Sequence, residues 1–148
     1  MISLSEAQTK KIASGLAKKL FNHPSVFIHL MGPLGVGKST FARGFIKSWL
    51  ELSKEPLPQT IVSPTFTLVQ VYGKAKPIAH LDLYRLKSFA ELEQLDYEQY
   101  FYETPACLVE WLEQIPECNT LYPAHRIIIE IQFGSTEKQR RIKIQAVV

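Results

Sequence analysis

The stretch Gly32-Pro33-Leu34-Gly35-Val36-Gly37-Lys38-Ser39 satisfies the pattern G-x-x-x-x-G-K-[ST] without a mismatch. The chemistry that this spacing serves is anion binding. Glycines let the main chain approach a ligand closely, so that a row of amide N–H groups faces a phosphate, and a helix N-terminus adds partial positive charge. In such a loop Lys38 reaches the β- and γ-phosphates and the Ser39 hydroxyl ligates Mg²⁺. A nucleotide site also needs carboxylates near the metal. Two acids close otherwise apolar stretches, Asp82 in AHLDLY and Glu110 in LVEW. An unpaired carboxylate at the end of a buried strand is costly unless a metal or ordered water compensates it. The competing readings are a turn or helix-capping acid for Asp82 and a surface acid for Glu110.

These groups need elements to carry them, and the flanks of the loop supply both. VFIHLM, before it, is a short apolar run of the kind that forms a strand covered on both faces. After it Phe41, Phe45, Trp49 and Leu52 recur at helical spacing and predict a helix that ends before KEPLPQ. Strand, loop and helix in register separate this motif from a glycine turn that binds nothing. In open α/β sheets ligands lie beyond the carboxyl ends of the strands, where Asp82 and Glu110 would stand. Elsewhere, Ser3 and Ser5 open a first helix that runs to about Leu20. TFTLVQVY and IAHLDLY read as strands joined by a turn at Gly73 to Pro77, and Ser88 to Glu91 is a capping box followed by Phe89, Leu92 and Leu95 on one helical face. ACLVEW is a further strand. RIIIEIQF and RRIKIQAV read as an antiparallel hairpin with Ile142, Ile144 and Ala146 facing inward and Arg141, Lys143 and Gln145 outward.

Several residues carry two readings. In SPTFT, Ser63, Thr65 and Thr67 suit a switch loop whose hydroxyl meets the γ-phosphate or its metal, and equally an ordinary turn running into a strand. His80 shares a strand face with Asp82 and reads first as a core histidine bonded to backbone, second as a catalytic one. Trp111 is either core filling or a partner-facing anchor. Arg43 lies on the helix after the glycine loop and Arg85 follows the DLY strand end; neither must be an arginine finger, and either could be structural. The basic run Lys138, Arg140, Arg141 and Lys143 reads as a solvated strand face.

At 148 residues the chain is expected to form one domain, and a net charge of +3 is too mild to announce nucleic-acid binding. No apolar run approaches the roughly 20 residues of a membrane span, and the N-terminus lacks a signal-peptide core, so an intracellular, soluble chain is expected. Cys107 and Cys118 have neither the spacing of a redox pair nor the company of a zinc site.

GPLGVGKSTFARGF, SPTFTLVQVY, HLDLYRL and LVEW, in that order and spacing, resemble the TsaE family of bacterial tRNA threonylcarbamoyladenosine biosynthesis proteins, and SEAQTKKIASGLA resembles the family's first helix. The resemblance implies an α/β, P-loop NTPase-like three-layer sandwich with a mixed, partly antiparallel central sheet, formed as a single ATPase domain over residues 1–148. It implies a cytoplasmic accessory subunit that binds the TsaB–TsaD pair and hydrolyses ATP. That hydrolysis would support formation of N6-threonylcarbamoyladenosine at position 37 of tRNAs reading codons that begin with adenine, with tRNA reached indirectly through the complex. By the same resemblance ATP and Mg²⁺ are the cofactors. Glu6, Leu34, Gly35, Val36, Gly37, Lys38, Ser39 and Thr40 are the nucleotide-binding set, with Glu6 near the adenine. Ser39 and Glu110 are implied as metal ligands, Lys38, Asp82, Glu110 and Thr65 as the catalytic set, and Trp111 as the tryptophan that follows the metal acid. Pro33 and Ala13 depart from the acid and glycine common in the family, and Pro33 leaves the amides of Gly35 to Ser39 untouched. The rival classes are a small-molecule kinase, for which the chain shows no evident lid, and a nucleotide-dependent scaffold that does not hydrolyse.

Overall fold

In the computed structural model, which describes residues 1–65 and 67–147, the chain runs β1 (Ile2–Ser3), α1 (Glu6–Leu20), β2 (Val26–Met31), α2 (Lys38–Leu52), β3 (Val69–Tyr72), β4 (Ile78–Asp82), α3 (Phe89–Glu93), β5 (Ala106–Glu110), α4 (Cys118–Leu121), β6 (Arg126–Phe133) and β7 (Arg140–Val147). The strands form one seven-stranded sheet in the order β1-β7-β6-β2-β5-β4-β3. Its centre, β6-β2-β5-β4, is parallel, while β3 and the β6–β7–β1 edge pair antiparallel. Central strands covered on both faces read as nearly continuous apolar runs, here interrupted by His29, His80, Asp82 and Glu110. Val26 to Leu30, Ile78 to Asp82 and Ala106 to Glu110 are accordingly buried at every position.

The register matters for the site. Leu30, the last buried residue before the glycine loop, lies opposite Glu110, and Glu110 lies opposite Asp82. The carboxyl ends of β2, β5 and β4 are therefore level, and the loop and both acids emerge along one rim.

Side-chain alternation divides the interior. Ile28, Leu30 and Leu108 point to the face covered by α1 and α2, where Phe41, Phe45 and Trp49 are fully buried. Small residues let these two helices meet closely: a Cβ on Gly44 would lie 2.7 Å from the Lys10 Cα, and Ala13 and Ala17 are buried at the same contact. Phe27, Leu81 and Val109 point to the opposite face, covered by shorter pieces that carry Leu92, Tyr97, Phe101 and Leu121.

The sheet and its helices match the α/β, P-loop NTPase-like sandwich expected, with local corrections. Ser5 caps α1 by accepting from the Gln8 N–H at 3.1 Å. Ser3 instead lies in β1, buried and bonded to the Thr9 hydroxyl at 2.7 Å. Leu52 is exposed rather than part of the α2 stripe, since that helix buries Ile46 and Leu50. The strand expected over TFTLVQVY begins only at Val69, because Leu68 takes a left-handed φ of 67° and donates its N–H to the Pro64 carbonyl at 2.6 Å. Phe66, part of that expected strand, lies outside the described residues. Ala146, expected inward, is exposed near the sheet edge, while Ile142 is buried. Among the described residues no helix is long and apolar enough to cross a membrane.

Candidate functional site

The loop after β2 has the conformation that its glycines allow. Gly35 and Gly37 have φ of 77° and 112°, a region closed to most side chains. A Cβ built on either would meet nothing within 4 Å, so both border open space. Gly37 caps α2 without any side-chain hydrogen bond to the first turn, which leaves that positive helix end facing outward. A cavity of about 280 Å³ lies against it, lined by Leu34, Gly35, Gly37, Lys38, Ser39, Thr40, Thr65, Asp82, Tyr84, Glu110 and Trp111. A neighbouring cavity of about 480 Å³ shares Gly35, Gly37 and Thr40 with the first and adds Glu6, Val36 and Arg140. Every residue that the resemblance implied as nucleotide-binding, catalytic or metal-ligating thus borders one of two adjoining spaces, whereas Ser63, Thr67 and His80 line neither.

Lys38 is 5% exposed. Its Nζ donates to the Gly32 carbonyl and, at 3.2 Å, to the Pro33 carbonyl, and lies 3.8 Å from the centroid of the Trp111 ring. Burial holds its ammonium below the usual lysine value, while the carboxylates of Glu110, Glu113 and Asp82 pull the other way.

A chain of oxygens links the loop to Asp82. The Ser39 hydroxyl donates to Ser63 Oγ at 3.4 Å, and Ser63 and Thr65 share a hydrogen bond of 3.0 Å. Asp82 accepts from Thr65 at 2.9 Å and from Ser63 at 3.4 Å through one oxygen, and from the Tyr84 N–H at 3.0 Å through the other. Thr67 takes no part in this chain and meets the Gln70 amide at 3.1 Å.

Glu110 is 2% exposed, and its partner is His80 at 2.7 Å. The expectation of a histidine bonded to backbone is therefore corrected. His80 Nε2 meets a carboxylate, and its Nδ1 is buried without a partner among the described residues. A carboxylate only accepts, so Nε2 carries the proton. Trp111 is half-buried and covers Lys38, with Tyr84 at 5.0 Å between ring centroids.

The donor set suits a hard divalent cation held partly by its nucleotide: one hydroxyl, Ser39, beside two carboxylates. Mg²⁺ commonly takes one or two carboxylates and completes its shell with phosphate oxygens and water.

One contributor escaped the sequence reading. Arg140, read as part of a solvated strand face, donates its Nε–H to the Val36 carbonyl at 2.8 Å and so braces the loop from β7. Only the basic character of its strand hinted at a role, because the contact spans 104 residues.

Comparison with known proteins shows the family to which the chain belongs. The family model described as "Threonylcarbamoyl adenosine biosynthesis protein TsaE" matches residues 3–142. The tRNA threonylcarbamoyladenosine biosynthesis protein TsaE of Bacillus subtilis is 34% identical over 141 residues, 95% of this chain and 80% of the relative. The protein of the same name from Haemophilus influenzae is 38% identical over 117 residues, 76% of this chain and 70% of the relative. The crystal structure of Bacillus subtilis YdiB superimposes with a TM-score of 0.75 at 30% identity, covering 100% of this chain and 84% of that one.

Proposed function

The chain belongs to the TsaE family and thus to the biosynthesis of threonylcarbamoyladenosine in tRNA, and from that premise we propose that it is a cytoplasmic P-loop ATPase. In this reading it binds and hydrolyses ATP as an accessory subunit of a TsaB–TsaD complex. The observation that carries the reading is the level register of Leu30, Glu110 and Asp82, which gathers the glycine loop and both acids at one rim.

The β- and γ-phosphates are bound by the amides of Gly35 to Ser39 and the ammonium of Lys38, and the adenosine end extends toward Glu6 and Thr40. Lys38 gives up its bonds to the Gly32 and Pro33 carbonyls for bonds to phosphate in which donor and acceptor both carry charge. The Ser39 hydroxyl and the Glu110 carboxylate would hold Mg²⁺, which would supply neutralisation of the negative charge that develops on the phosphates. Asp82 keeps Thr65 against the cavity wall, and Asp82, Glu110 or both orient the attacking water. The leaving group is ADP, and the γ-phosphoryl group passes to water. Neither Arg43 nor Arg85 is among the residues lining the cavity beside Lys38. A missing arginine finger costs a factor of about 10³ to 10⁵ in rate, so turnover should be slow alone and faster with the partner.

The test is product analysis with Mg·ATP, with and without TsaB–TsaD. Slow release of inorganic phosphate that the complex accelerates is expected. Fast turnover by the isolated chain rejects partner activation, transfer to an acceptor identifies a kinase, and binding without products identifies a scaffold.

A further inference from the structure

The turn that follows Glu110 is gripped from both faces of the sheet. On the α1/α2 face His80 of β4 holds Glu110 at 2.7 Å. On the other face His29 of β2, fully buried, holds Glu113 through Nε2 at 2.7 Å. Glu113 accepts, so His29 Nε2 carries the proton, and Nδ1 then accepts from the Tyr122 hydroxyl at 2.7 Å. Burial pushes the Tyr122 hydroxyl up to about 12, so it keeps the proton that it donates.

Between these two clamps stands Trp111, at a left-handed φ of 66°. A non-glycine residue holds such a conformation only where its surroundings impose it. Fixing the residue before Trp111 and the residue two after it sets the direction of its ring, which lies 3.8 Å over the Lys38 ammonium. The His29 clamp reaches this turn from the strand that leads into the glycine loop.

We propose that His29 is a positioning residue for the phosphate site: by gripping Glu113 it holds Trp111 over Lys38. Its consequence for turnover rests on the nucleotide-site reading given above, but its geometric content does not.

The test reads the indole N–H signals of the nucleotide-free protein in ¹H–¹⁵N spectra. The chain has 2 tryptophans, and Trp49, whose indole donates to the Lys76 carbonyl at 3.0 Å beneath the α1/α2 face, is an internal control. His29→Leu should displace the Trp111 signal and leave that of Trp49 in place. His29→Gln, which keeps a donor for Glu113, should restore it. Glu113→Ala should reproduce the displacement and carries the test if His29→Leu fails to fold, because the Glu113 side chain is 29% exposed and tolerates truncation. Phosphate release with TsaB–TsaD should fall about tenfold in His29→Leu, the scale of a small misplacement of a site group, and recover in His29→Gln. An unmoved Trp111 signal in Glu113→Ala overturns the proposal. So does a glutamine variant that behaves like leucine, or a displaced signal with unchanged turnover. A wild-type chain that releases no phosphate defeats the ATPase reading and leaves the indole result to decide the clamp.

Discussion

The glycine loop and the hydroxyls of Ser63 and Thr65 reach the same rim by opposite routes. The loop is locally determined, since its three positive-φ glycines, the buried strand before it and the helix that begins at Lys38 are contiguous in the chain. Thr65 stands where it does because Asp82, 17 residues further on, accepts its hydroxyl proton. The first arrangement is built mainly from contiguous residues, with Arg140 of β7 adding one bond to the Val36 carbonyl. The second depends on a charge delivered from another strand, which suits a segment that must respond to what the cavity contains.

The largest expected effect falls on the loop itself. A Cβ at Gly32 would lie 2.4 Å from the Ile131 carbonyl oxygen, and its φ of 149° disfavours any side chain. Gly32→Ala should therefore cost at least about 2 kcal/mol of unfolding free energy in a denaturant titration. A smaller loss would mean that β2 and β6 can separate at Gly32 to admit a side chain.

Asp82→Asn tests the other half of the comparison. With the charge gone, Thr65 and Ser63 are left with a neutral amide oxygen as their common acceptor, about half as strong as the carboxylate, and hydrolysis should fall about 10- to 100-fold with a much smaller change in nucleotide affinity. Equal losses in both would make Asp82 a binding group instead of the anchor of a responsive segment.

Arg140→Ala gives the smallest effect. Loss of its bond to the Val36 carbonyl should destabilise the loop by about 1 kcal/mol, seen as hydrogen exchange roughly fivefold faster at the loop amides. Unchanged exchange would show that the loop needs no brace from β7.

The same contrast explains what the sequence made legible. Periodicity and capping chemistry located α1, α2 and α3 but not the single turn of α4, and apolar runs located β2, β4 and β5, because those signals are local. The loop, Asp82 and Glu110 were readable because a motif and its flanks specify them, and the resemblance to TsaE supplied their order. What escaped was long-range. Arg140 braces a loop 104 residues away, and His80 exchanges a backbone partner for a carboxylate that only strand register delivers. Leu68 breaks a strand-like pattern because its N–H is taken by Pro64 and its carbonyl by the Asp82 N–H at 3.0 Å. Trp111 could not be divided between core and surface, since its place over Lys38 requires a left-handed turn that no local residue announces.

The central claim is that the amides of Gly35 to Ser39, with Lys38, hold a nucleoside triphosphate. Calorimetric titration of the folded chain with Mg·ATP tests it most directly. One saturable site is predicted, weakened about 10- to 100-fold by Lys38→Ala through loss of a charge-assisted bond. A folded protein that gives no heat with Mg·ATP, or a Lys38→Ala variant that binds as tightly as the wild type, would contradict the account.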